Sequence, residues 1–329
     1  MALSKSSKLR LKTKYGEWAL VTGASSGIGK ALAENLADAG FNLILTARRR
    51  QVLEEIAANL QAKYAVNVQV IIADIATNEG IDHLLKSTQG LNVGLLINNA
   101  GFGTSGCFHQ ANLDSEVNML QVNCTALMKL THHFSQTFIT RKKGGIILMS
   151  SMVSFQGVPY AAHYAATKAY VQSFGEALAH ELRPLGVDVL SAAPGPVSSE
   201  FAQRANMQMD MTLKPSDIAV PILKALGRRS TVLPGFLTKF LVGSLRTVPR
   251  WGKVRIMKMV MGGMTKHQRA WHIHSPLCYP SSSFHSFLLS HFKNKAWPWT
   301  ALLCLHFCKI YEHLLLITNL YIYENVSHA

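Results

Sequence analysis

Carboxylates are scarce in this chain. Aspartate and glutamate total 18 against 33 lysines and arginines, which leaves a formal charge of +15 on 329 residues. With 48% hydrophobic and 16% charged residues, the chain is still no charge-extended disordered polymer, and it is long enough to bury a large core. Cysteine is sparse too. Cys107, Cys124, Cys278, Cys304 and Cys308 form no paired framework, which excludes a disulfide scaffold and points to free thiols in a reducing, cytoplasmic compartment. Cys304, His306 and Cys308 match no standard zinc spacing, so no metal site is expected. No apolar run of export-signal length follows Lys5, Lys8, Arg10, Lys12 and Lys14, because Gly16, Glu17 and Gly23 intervene. Near the far end, Lys309, Glu312 and His313 interrupt an apolar stretch that would otherwise approach membrane-spanning length. The cations are dispersed and accompany no nucleic-acid motif, so nucleic acid is not expected as a partner.

What the chain does have is alternation. From Trp18 to Leu233, short apolar runs alternate with helical patterns. WALVTG, NLILTA, VQVIIAD, VGLLINNAG, GGIILMSS and VDVLSAAPG read as strands, and STVLPG is a candidate last short one. Helices are expected over KALAENLADAG, RQVLEEIAANLQAKY, the region of Ile81 to Leu85, roughly Ser115 to Phe138, Tyr164 to Leu182, and PSDIAVPILKALGRR. Continuous apolar strands separated by amphipathic helices indicate a parallel sheet covered on both faces. Right-handed crossovers then give an α/β, doubly wound Rossmann fold, a single domain with a C-terminal extension. Residues 1–16 read as a basic N-terminal tail and 17–235 as the Rossmann domain. Residues 236–268 read as an apolar-basic helical segment. At 269–329 the composition breaks, which favours sequence never selected to fold over an appendage that touches a membrane or partner.

TGASSGIG places Gly23, Gly27 and Gly29 between a strand and a helix, with Ser25, Ser26 and Ile28 completing the turn. Glycines there let the backbone approach a pyrophosphate, and the helix N-terminus offers free N–H groups and partial positive charge. An acidic residue about 20 positions further on would bind a ribose 2′-OH. The chain instead has Ala47 followed by Arg48, Arg49 and Arg50. A 2′-phosphate would pair with Arg48, so NADP(H) is expected over NAD(H).

In SSMVSFQGVPYAAHYAATKAY, Tyr164 and Lys168 stand four apart, which on a helix makes them neighbours on one face. These pieces match a family. TGASSGIG, Asp74 in IIADI, NNAG at Asn98 to Gly101, Asn123 in QVNCTA, Ser151, YAATK and PGPVSS occur in order. By them the chain resembles the short-chain dehydrogenase/reductase family across roughly Trp18 to Leu233. The resemblance implies an enzyme that moves a hydride between a nicotinamide and a carbonyl or alcohol. Tyr164 would be its acid/base, Lys168 the residue that acidifies the phenol and holds the nicotinamide ribose, and Ser151 the donor to the substrate oxygen. Asn123 would position a water behind Lys168. Bringing a phenol from about 10 to about 7 needs ~4 kcal/mol of preferential phenolate stabilisation. The ammonium, together with an oxidised nicotinamide ring, would supply it. The resemblance further implies cofactor contacts from Asp74, Asn99, Ala100, Gly101, Pro194, Gly195, Val197 and Ser199, the last standing where the family commonly has threonine. A strand-end cap is an alternative role for Asp74. His163 is expected to face away from Tyr164, since adjacent helical residues point about 100° apart.

Phe102, Phe108, Phe155, Phe201, Met207 and Met209 suggest an apolar pocket for a carbonyl on a lipophilic or acyl chain. The resemblance also implies a homodimer or tetramer through the helices of Asn123 and Tyr164. A second function class stays open: a membrane-associated or nucleotide-sensing protein using the same fold with little turnover. In residues 236–264, basic and large apolar side chains alternate, which suits either peripheral membrane contact or a helix beside the pocket.

Overall fold

The computed structural model describes residues 2–209 and 212–269. Apart from its first residue, the tail expected over 269–329 lies outside the described residues, as do Cys278, Cys304, His306 and Cys308.

The first part of the chain gives Lys5–Tyr15 (α1), Trp18–Thr22 (β1), Gly27–Asp38 (α2), Asn42–Ala47 (β2), Arg50–Tyr64 (α3), Val68–Ile72 (β3), Asn78–Ser87 (α4) and Val93–Asn98 (β4). Then follow Leu113–Leu120 (α5), Leu127–Thr140 (α6), Gly144–Met149 (β5), Ala162–Leu182 (α7), Val187–Ala192 (β6) and Glu200–Arg204 (α8). Pro215–Ala225 (α9), Thr231–Val232 (β7), Phe236–Ser244 (α10) and Arg250–Met264 (α11) complete the described fold. The seven strands are all parallel, in the order β3-β2-β1-β4-β5-β6-β7. This is the doubly wound Rossmann fold.

Each strand is apolar on both sides because both sides are covered. Ala19 and Val21 of β1 pack with Leu43, Leu45, Leu95 and Ile97 against α2, α3 and α9. Leu20 between them points to the other face, with Ile44, Leu96 and Ile146 against α4, α6 and α7. The winding reverses between β1 and β4, and ligands of such sheets bind in the crevice beyond the strands' C-terminal ends at that switch point.

Three regions depart from the sequence reading. Residues 5–15 are no tail. Ser4 caps α1 by accepting from the N–H of Ser7, and Leu3, Leu11 and Tyr15 are buried. Its cations fix the helix in place. Lys8 pairs with Asp38 at 2.7 Å, Lys14 with Asp188 at 2.6 Å, and Arg10 donates to the carbonyls of Leu226 (2.8 Å) and Leu223 (3.1 Å) at the end of α9. The single helix expected over Ser115–Phe138 is continuous but carries a local distortion. Between α5 and α6, Gln121–Ala126 form a π-helical turn, whose extra residue per turn directs Asn123, Cys124 and Ala126 inward. Finally, the expected pocket residues Phe108 and Phe155 are exposed; Phe108 sits on a short turn with its ring edge-on to His163.

Candidate active site

Strand β1 ends in the glycine turn, where Gly23 has φ +65°. A Cβ at Gly23 would meet the Ala100 Cα at 2.8 Å, so this left-handed, crowded position takes glycine only. Thr22 is the hub beneath it. Its hydroxyl accepts from the N–H of Asn99 (3.0 Å) and of Ala100 (2.9 Å), while the Asn99 amide donates to the carbonyls of Thr22 and Gly23. NNAG is therefore clamped to the turn, and Gly101 comes to lie beside the Asn123 amide and the Lys168 ammonium. Ser26 is the extended N-cap of α2, whose first backbone N–H groups face the crevice side of the sheet, and Ile28 packs into the core behind it. Gly27 approaches Ser199, which caps α8 by accepting from the N–H of Phe201. Pro194 accepts from the Met152 N–H, Gly195 donates to the Thr238 hydroxyl, and Val197 bridges to Leu213. The turn and NNAG thus meet at the C-terminal ends of β1 and β4, and Ser199 of PGPVSS approaches the same turn at Gly27.

The arginines divide their work. Arg48 faces Asp74 at a loose 3.9 Å. Arg49, passed over in the sequence, donates to the Ser25 hydroxyl at 3.0 Å and pairs with Glu200 at 2.8 Å, which joins the glycine turn to α8. Arg49 is the main reason that the Glu200 carboxyl lies below the ordinary range. Asp74 also accepts from the Ala76 N–H at 3.1 Å, so it does serve as a strand-end cap.

The π-turn, β5 and α7 then bring the catalytic candidates together. Ser151 follows β5, is nearly buried and shares a hydrogen bond with the Tyr164 phenol. Its neighbour Ser150 turns away and donates to the Lys168 carbonyl at 3.1 Å. The Lys168 ammonium lies 5.9 Å from the centre of the Tyr164 ring and donates to the Met149 carbonyl at 2.8 Å. Asn123 is fully buried, and its amide is committed. It donates to the Phe102 carbonyl (2.9 Å) and the Thr167 hydroxyl (3.0 Å) and accepts from the Phe102 N–H (3.1 Å). In this structure it fixes the backbone that follows NNAG. His163 turns aside as expected and pairs with the buried Glu116 at 2.6 Å.

Burial dominates the electrostatics of both groups. Burial pushes the Tyr164 phenol up to about 12, with the Ser151 hydrogen bond pulling in the opposite direction. Burial likewise pulls the Lys168 ammonium down to about 8. Desolvation disfavours both charged forms.

Around the phenol is an apolar wall. Tyr164 packs with Phe102, Met119, Met207, Met257 and Met261, and its ring lies 5.3 Å from that of Phe201.

The short chain dehydrogenase family model matches residues 17–210, over half of the chain and all the elements just described from β1 to α8. The chain belongs to the short-chain dehydrogenase family. Among the curated relatives of this short-chain dehydrogenase is the very-long-chain 3-oxoacyl-CoA reductase of Homo sapiens, 31% identical over 263 residues, or 78% of this chain and 82% of that one. The 7beta-hydroxysteroid dehydrogenase of Clostridium sardiniense is 29% identical over 235 residues, or 70% of this chain and 90% of that one. Among solved structures, a short-chain dehydrogenase from Sphingobium yanoikuyae in complex with NADPH superimposes with a TM-score of 0.64 at 26% identity, covering 80% of this chain and 99% of that one. Like these relatives, the short-chain dehydrogenase described here is an oxidoreductase.

Sequence reasoning missed Thr22, Arg49, Thr238 and the methionines of α11. Arg49 was in view within the RRR run, but only the fold shows which arginine reaches Ser25. The Thr238 and Met257 contacts cross from the far end of the described chain and leave no local signal.

Proposed function

We propose that this short-chain dehydrogenase is NADP(H)-dependent and reduces the carbonyl, or oxidises the alcohol, of a lipophilic or acyl substrate, with Tyr164 as the acid/base. The observation that carries the reading is convergence. One buried phenol touches Ser151, neighbours Lys168, and opens onto a wall of Phe and Met beside the glycine turn. A bound nicotinamide supplies or accepts the hydride, and its oxidised ring adds positive charge. Ser151 donates to the substrate oxygen, which holds the reacting carbon in place. As the carbonyl carbon gains the hydride, Tyr164 transfers its proton to the oxygen; in the reverse direction the phenolate takes it back. The raised phenol stays loaded with its proton across neutral pH. Lys168, tied to the end of β5, stabilises the phenolate once the proton has left.

Arg48, Arg49 and the Ser25 hydroxyl supply the setting for a 2′-phosphate. Their present carboxylate partners are half exposed, and such pairs are worth only about 0–1 kcal/mol, so a phosphate dianion competes well for them. The NADPH held by the Sphingobium relative supports the same choice. The apolar wall agrees with the steroid and very-long-chain acyl substrates in the relatives' names. Exposed Leu113, Val117 and Leu120 on α5 and Tyr170 on α7 favour assembly as a homo-oligomer through these helices. An NADPH-consumption screen over carbonyl substrates of increasing chain length tests the reading. Rates should rise with chain length; activity confined to short polar carbonyls, or a tenfold preference for NADH, overturns it.

A further inference from the structure

Helix α11 has two unlike faces. Met257 and Met261 turn inward and pack in the cluster that holds Tyr164. Trp251, Arg255, Lys258 and Met259 follow the i, i+4, i+7, i+8 spacing of one outer stripe, and all four are exposed. On α10, Phe236 is 84% and Phe240 50% exposed, their rings stacked 6.4 Å apart. Arg255 lies over the Trp251 ring at 4.9 Å, which pairs a cation with an aromatic on the outer stripe. Residues 236–264 contain Lys239, Arg246, Arg250, Lys253, Arg255 and Lys258 and no aspartate or glutamate. Burying such a face inside the fold would strand the cations; leaving it in water exposes the aromatics.

We infer that the outer face of α10 and α11 docks on an anionic lipid surface, with the aromatic and Met side chains entering the acyl boundary and the cations meeting the headgroups. Two features select this occupant. A second copy joined by a two-fold axis would set this all-cationic patch against itself. A bilayer interface instead offers the two environments the patch needs, an apolar layer beneath a negative plane. Among the described residues no helix is long and apolar enough to cross a membrane, so the contact is peripheral. Since the inner side of α11 lines the proposed substrate pocket, this one helix becomes a wall shared by pocket and bilayer. That consequence rests on the functional reading above; the docking itself does not.

The test is co-flotation of the full chain with phosphatidylcholine vesicles, either alone or with about 30% phosphatidylserine. The parent should float with the anionic vesicles and not with the neutral ones. Arg250→Ser/Arg255→Ser/Lys258→Ser should lose roughly 100-fold in affinity, at roughly fivefold per cation. Phe240→Ser/Trp251→Ser should lose flotation too, and both variants should keep parental NADPH binding as proof of folding. Equal binding to neutral vesicles overturns the inference, and so does parental binding by both variants. Retention on single-stranded RNA without flotation overturns it in favour of nucleic acid, and self-association abolished by these substitutions without flotation does so in favour of a second copy. An inactive substrate screen would leave the flotation result standing, so the two readings fail separately.

Discussion

Tyr15 and Tyr164 lie buried at opposite ends of one sheet, each with a lysine close by, and their surroundings prepare them for different work. At the N-terminal end of the strands, the Tyr15 hydroxyl donates to Asp188 at 2.7 Å, and Lys14 reaches the same carboxylate oxygen at 2.6 Å. The ammonium there is spent on the carboxylate. Burial and the carboxylate both push the Tyr15 phenol upward, which fixes its proton. Tyr15 rests on the start of β4 and β5: a Cβ at Gly94 would clash with its backbone carbonyl, and one at Gly145 would lie 2.8 Å from its ring. At the C-terminal end, Tyr164 has a serine hydroxyl and an ammonium for company. Burial holds its proton as well, but a cation stands by to receive the phenolate. The difference teaches that a buried tyrosine beside a lysine is no site in itself; the third partner decides whether the proton can move.

That contrast can be broken from either end. The largest effect is expected at the catalytic end, where Lys168→Ala should lower turnover by about 100- to 10,000-fold in steady-state assays. Parental turnover in this variant would remove lysine from the account. Next comes Tyr15→Ala, which removes a fully buried aromatic and should cost about 3–5 kcal/mol in urea unfolding. Activity per folded molecule should be unchanged; a selective loss of turnover without loss of stability would make α1 part of the site. Tyr15→Phe keeps the ring and deletes only the bond to Asp188, so about 1–2 kcal/mol is expected by the same measurement.

The smallest effect is in alkali. Both phenols are raised by burial, so the unfolded chain gives up those protons first. Their stabilising contribution is therefore complete below the ordinary phenol value of about 10 and is lost as pH rises beyond it. Lys168 acts the other way, since its value falls from 10.5 to about 8 and its burial cost eases over that interval. Unfolding midpoints should fall above pH about 10, and less steeply in Tyr15→Phe. Equal slopes for the two proteins would mean that Tyr15 titrates in the fold as it does in water.

The two ends also differ in how much of them could be read in the sequence. The end that holds Tyr164 was legible because its pieces are local. Tyr164 and Lys168 share one helix, Gly23 to Gly29 share one turn, and apolar strand runs set the order that brings them together. The other end was not. Its cations sit in the first sixteen residues and read as a basic tail, yet Arg10 finds its carbonyl partners on Leu223 and Leu226. The π-turn at Asn123 escaped for a related reason, since a single wider turn shifts the apolar spacing by only one residue and the packing against Phe102 and Thr167 is what reveals it. Phe108 and Phe155 were placed in the pocket because they follow the fourth and fifth strands, and the fold leaves both exposed.

The most direct test of the account pairs the two hydroxyls in one assay. Carbonyl-dependent NADPH oxidation and NADPH affinity are measured for Tyr164→Phe and Tyr15→Phe beside the parent. The account predicts that Tyr164→Phe binds NADPH as the parent does but turns over about 100- to 10,000-fold more slowly, while Tyr15→Phe keeps both. Near-parental turnover in Tyr164→Phe would contradict it, because the proton would then be coming from somewhere else.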